Sequence, residues 1–156
     1  SFFFLLYHFI RSRYNKVELC FVAYEAEAYE VDEKSFFERG SSGGTVASTG
    51  VKMVNDIIDQ RYHPSSWNIY AFQASDGDNW PTDNEELLTS LDTLMPKVQF
   101  YGYCEIEPSK ERAIWTKDNS LGTLFEGLKY DNLKSSNISV KEDIWGAFKN
   151  FFGGEL

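Results

Sequence analysis

Apolar positions along the chain alternate between helical spacing and short dense runs. Residues 2–14 open with Phe2-Phe3-Phe4-Leu5-Leu6 and predict a helix buried on most sides. Residues 17–24 are almost continuously apolar, the pattern of a strand covered on both faces of a parallel sheet. Residues 28–31 predict a short neighbouring strand at an edge. Val51, Val54, Ile57, Ile58 and Tyr62 recur at helical spacing, and Pro64 stops that helix because proline disfavours the helical conformation in the residue before it. A strand over 67–74 follows. A helix over 84–95 carries Leu87, Leu88, Leu91, Leu94 and Met95 on one side, with Pro96 directly after. A further strand runs over 98–106. The polar stretch after it lacks a clean period and predicts only a short helix over 121–129 and a short strand over 137–140. Ile144, Trp145, Phe148, Phe151 and Phe152 define a last helix, terminated at Gly153-Gly154.

Helices alternating with apolar strands imply an α/β fold, doubly wound, with a mainly parallel sheet and helices on both faces. The 156 residues suit a single domain over 1–156. The first apolar helix has no strand before it, so the expectation is a domain lacking its first central strand.

Composition narrows the function. Thirteen Phe, nine Tyr and four Trp exclude a disordered chain, since so many large apolar groups offset the entropy of ordering. The net charge of -9 repels a polyanion, so nucleic acid is not an expected partner. Arg11-Ser12-Arg13 is the one compact basic group, and it suits the end of a helix, where cations complement the dipole. The run 2–10 is too short to span a bilayer, and its positive charges follow it instead of preceding it, so neither a membrane anchor nor a secretory signal is expected. Cys20 and Cys104 lie in apolar runs and read as buried thiols, which fits a cytoplasmic setting. His8 reads as a packed core residue and His63 as a solvated loop residue. The acidic stretch Glu25, Glu27, Glu30, Asp32 and Glu33 reads as a solvated strand edge protected by charge.

Two polar loops could carry chemistry. Ligands of an open parallel sheet bind at the carboxyl ends of its strands. Ser41-Ser42-Gly43-Gly44-Thr45 opens a helix, and Ser75-Asp76-Gly77-Asp78 follows a strand, with Trp80 beside it as a candidate binding anchor. A threonine hydroxyl and an aspartate carboxylate suit Mg²⁺ or Mn²⁺, which takes about six oxygens at roughly 2.0–2.2 Å. The plainer readings are that Thr45 only caps its helix and that Asp76-Gly77 is an ordinary turn.

From Tyr29 to Glu107 the chain resembles the YeaH/YhbH family of bacterial von Willebrand factor A-like proteins. The resemblance is carried by Glu30-Val31-Asp32-Glu33 with Phe36-Phe37, Gly43-Gly44-Thr45, Trp67-Asn68-Ile69-Tyr70-Ala71 and Gln73-Ala74-Ser75-Asp76-Gly77-Asp78-Asn79-Trp80. It implies a metal-ion-dependent adhesion site in which Thr45 and Asp76 are the metal ligands. Ser42, Gly43, Gly44, Ser75, Gly77, Asp78 and Trp80 are the expected ligand-loop residues. The Asp-x-Ser-x-Ser motif of such sites is absent; it is expected at the end of a first central strand just before Ser1, and that strand is expected between the strands at 17–24 and 67–74. The implied role is a protein-interaction module in bacterial stress-response or sporulation signalling, with a serine protein kinase as a candidate partner. Two alternatives stand beside it. One is a Mg²⁺-dependent hydrolase or phosphoryl-transfer enzyme using Asp76 and Asp78. The other is a scaffold without metal that binds through its aromatic surface.

Overall fold

The computed structural model describes residues 2–39, 45–106 and 119–153. The order of elements is α1 (Phe2–Arg13), β1 (Phe21–Tyr24), β2 (Ala28–Val31), α2 (Glu33–Glu38), α3 (Ala47–Arg61), β3 (Tyr70–Ser75), α4 (Asn84–Leu94), β4 (Phe100–Ile106), α5 (Leu121–Glu126), β5 (Leu133–Ile138) and α6 (Asp143–Phe152). Single 3-10 turns at Pro81–Asp83 and Met95–Lys97 flank α4.

A three-stranded parallel sheet of order β3-β4-β5 forms the centre. Side chains of β4 alternate between its two faces, as a period of two requires. Tyr101 and Tyr103 enter a core with Val51, Ile58, Leu87, Leu91, Leu94 and Phe125, contributed by α3, α4 and α5. Cys104, with Phe72 and Phe100, enters a second core against Phe2, Leu6, Phe148, Phe151 and Phe152 of α1 and α6. Helices therefore cover both faces. Leu87, Leu91 and Leu94 are fully buried, and each contributes roughly 1.5–3 kcal/mol by leaving water. Gly102 keeps the second face of β4 open: a Cβ there would sit 2.9 Å from the Phe72 ring and 3.1 Å from that of Phe151.

Several expectations need correction. The run 17–24 forms only the short β1, which pairs antiparallel with β2 in a separate two-stranded sheet. Its apolar residues are half-buried because α3 and α2 cover one side of a hairpin. The turn is closed where Glu25 N–H donates to the Glu27 carbonyl at 2.9 Å. Among the described residues β1 and β3 are not paired with each other. Helix α1 buries only Phe2 and Leu6, and Phe4 and Leu5 are about half exposed. His8 is exposed and packs edge-on against Phe4 and Tyr7, so it is not a core residue. Cys20 is exposed, whereas Cys104 is buried as expected. Trp145 shares a helical stripe with Phe148 and Phe152 yet remains 57% exposed. The strand expected over 137–140 is instead Leu133–Ile138, stabilised by its ladder to β4. The segment 107–118 and Gly154 lie outside the described residues.

Candidate functional site

Strand β3 ends at Ser75, and the chain turns at Gly77. Asp76 and Asp78 are exposed on either side of it. Gly77 has φ 87°, a left-handed conformation that glycine adopts without a Cβ penalty. The turn is closed locally by side chains. Gly77 N–H donates to Ser75 Oγ at 3.1 Å, and Asp78 N–H donates to Asp76 Oδ1 at 3.1 Å, an aspartate turn.

This loop is laid against the start of α3. Trp80 N–H donates to the Thr45 carbonyl at 3.4 Å. Asn79 Oδ1 accepts from Ala47 N–H at 2.9 Å. Asp83 accepts from Ser48 twice, Oδ2 from its N–H at 2.9 Å and Oδ1 from its hydroxyl at 2.5 Å. Four orphan donors open every helix, and here two of them are met by residues of another loop. The residue in the N-cap position is Val46, which makes no side-chain cap bond. Thr45 is thus not the side-chain cap of α3, and that plainer reading of its presence falls.

Thr45 accordingly lies against Trp80, in the segment that leaves the carboxyl end of β3 at Ser75 and carries Asp76, Gly77 and Asp78 at its start. Thr45 is half-buried and Trp80 is 60% exposed. Ser42, Gly43 and Gly44 lie outside the described residues. Among the described residues no group of three or more His, Cys, Asp or Glu side chains is placed to hold a metal ion. A threonine hydroxyl and an aspartate carboxylate are hard oxygens of the kind that Mg²⁺ and Mn²⁺ take.

Beneath the loop lies a polar chain that the sequence did not single out. Ser75 Oγ and Tyr103 Oη pair at 2.9 Å. Tyr103 Oη donates to Glu105 Oε2 at 3.0 Å, and Gly122 N–H donates to the same oxygen at 2.6 Å. Burial pushes the Tyr103 hydroxyl well above its usual range, so it stays protonated and able to donate. Alternation would have flagged Tyr103 as core and Glu105 as a strand-end charge. Nothing in the spacing connects them to Gly122.

The family model described as "Protein of unknown function (DUF444)" matches residues 1–155. The chain belongs to the DUF444 family. Relatives of this DUF444 chain include a UPF0229 protein of Ruminiclostridium cellulolyticum, 42% identical over 149 residues, covering 96% of this chain and 37% of the relative. A UPF0229 protein of Pseudomonas paraeruginosa is 40% identical over 158 residues, covering 99% of this chain and 36% of the relative. One of Clostridium perfringens is 38% identical over 160 residues, covering 100% and 38%. The YeaH/YhbH proteins fall within this same family. The DUF444 chain thus spans just over a third of the length of the curated bacterial relatives it matches. No solved structure matches it. No described helix is long and apolar enough to cross a membrane.

Proposed function

We propose that this DUF444 chain is part of a von Willebrand factor A-type protein-interaction module in which Thr45 and Asp76 contribute to a Mg²⁺ or Mn²⁺ site. The observation that carries the reading is the Trp80 N–H to Thr45 carbonyl bond, which brings the threonine against the aspartate loop at the carboxyl end of β3. A bound divalent ion there would offer an open position to a partner's carboxylate. The chain's own part is to orient. Asp76 offers an exposed carboxylate, and on this proposal the Thr45 hydroxyl supplies a second oxygen from just before α3. The remaining ligands come, on this proposal, from elsewhere in the full-length polypeptide. A strand running between β1 and β3 is the proposed source.

The wider role proposed is cytoplasmic, in bacterial stress-response or sporulation signalling, with a serine protein kinase as the partner. The test uses the full-length protein. Thr45→Ala and Asp76→Ala each weaken Mn²⁺ binding by about tenfold, the loss of one ligand from a small set. Capture of the kinase depends on Mg²⁺ and is lost in both variants. Unchanged capture with and without Mg²⁺ eliminates the reading. Turnover of a phosphate ester that requires Mg²⁺ and disappears in Asp78→Ala would favour the hydrolase alternative instead.

A further inference from the structure

Gly77 is held from three sides. Its own N–H is bound by Ser75, its carbonyl accepts from Leu121 N–H at 2.9 Å, and the Glu105 carboxylate fills the place where a side chain would be. A Cβ on Gly77 would lie 2.6 Å from the Glu105 carboxyl carbon, and one on Gly122 would lie 2.6 Å from Glu105 Oε2. Ser75 and Glu105 are register partners on adjacent strands, so the carboxylate stands directly beside the end of β3. Glu105 Oε2 then ties two elements together: through Tyr103 and Ser75 it reaches the turn, and through Gly122 it reaches the first turn of α5.

We infer that Glu105 is the positioning residue of the Asp76 loop, acting through Tyr103, Ser75 and Gly77 and coupling the placement of α5 to that of the loop. Asp76 and Asp78 flank Gly77, so the conformation held at Gly77 sets the directions in which both carboxylates leave the backbone. Moving α5 drags the Gly77 carbonyl through Leu121, and moving the turn displaces the Glu105 carboxylate on which α5 starts. A ligand that orders one end therefore orders the other. That Asp76 is a metal ligand rests on the function proposed above. The coupling itself does not.

The experiment is residue-resolved amide hydrogen exchange on the full-length protein, followed by Mn²⁺ titration. Glu105→Ala removes the shared acceptor and raises exchange at Leu121 and Gly122 whether Glu105 positions the loop or merely starts α5. The coupling predicts that exchange at Gly77 and Trp80 also rises, by about tenfold, in both Glu105→Ala and Tyr103→Phe. Tyr103→Phe keeps the ring stacked on Phe125, where the centroids are 4.4 Å apart, so it serves if Glu105→Ala fails to fold. Both bonds fall on one oxygen of Glu105, so Glu105→Gln retains them and restores the wild-type exchange pattern. Unaltered exchange at Gly77 and Trp80 in both disruptive variants overturns the inference. Mn²⁺ affinity falls severalfold in the same variants. A wild-type protein that does not bind Mn²⁺ overturns the metal reading, while the exchange pattern still decides the coupling.

Discussion

Gln73 Nε2 donates to Tyr24 Oη at 2.6 Å, joining the β1-β2 hairpin to the parallel sheet through side chains. The same glutamine accepts from Tyr101 Oη at 2.6 Å, so a single amide satisfies two tyrosine hydroxyls. Gln73 is buried, and burial pushes the Tyr24 hydroxyl up to about 12. Gln73→Leu strands polar groups away from water, which costs about 1–3 kcal/mol. Urea unfolding measures it, and an unchanged midpoint would show the bridge to be incidental.

Gly77→Ala combines two penalties. The positive φ costs about 1–2 kcal/mol for any residue with a Cβ, and the approach to Glu105 adds a steric clash. The two separate in a double-mutant cycle. In a Glu105→Ala background only the backbone penalty persists, so the substitution costs measurably less there. Equal costs in both backgrounds would mean that the carboxylate does not bar a side chain at this position.

The two cysteines differ sharply in exposure. Burial raises the Cys104 thiol to about 12, so almost no thiolate exists near neutral pH. Cys20 is exposed. A maleimide at mildly alkaline pH therefore labels the native protein at Cys20, and labels Cys104 only after unfolding. Native labelling that survives Cys20→Ser would contradict the placement of Cys104.

Asp143 gives the start of α6 a pH dependence. The N–H groups of Val140 and Ser139 donate to its Oδ2 at 3.0 and 2.9 Å and hold its carboxyl below the usual 3.8. A carboxyl depressed in the folded state stabilises it above the unfolded value, and that contribution disappears as pH falls through the folded one. Asp143→Asn has no such contribution to lose. Its stability falls less steeply than wild type over the acid range, read as urea midpoints at a series of pH values. Parallel curves would show that the carboxylate does not stabilise the helix start.

Periodicity disclosed those elements that are buried on one side. Val51, Ile57 and Ile58 of α3, and Leu87, Leu91 and Leu94 of α4, all lie in the core. Trp145 departs from its stripe because α6 packs on β5 and α1 through a narrower face than its apolar residues cover. Strand β5 reads Leu-Lys-Ser-Ser-Asn-Ile, and its polar centre hid it, since a strand at the rim of a sheet can be held by its ladder with few inward apolar groups. The run 17–24 misled for the opposite reason: apolar content reports burial and is silent about which strand pairs with which. Within the site, Thr45 and the aspartate turn were visible as loop chemistry next to predicted elements. Asn79 and Asp83 were not, because a polar residue just before α4 looks like that helix's own cap, whereas both serve α3. Glu105 was hidden because one partner, Tyr103, lies 2 residues back and reads as core, while the other is the backbone N–H of Gly122, 17 residues further on.

The opening turn of α3 is completed by groups 32 and 35 residues downstream. A polypeptide leaving the ribosome emits Ala47 and Ser48 long before Asn79 and Asp83 emerge. Until then the segment has the sequence of a helix but an unfinished beginning, and its first hydrogen-bond donors face water. Synthesis order therefore imposes a delay: this rim of the molecule sets only after the second strand of chemistry-bearing residues has arrived, and a pause in translation before that point would leave it unsealed.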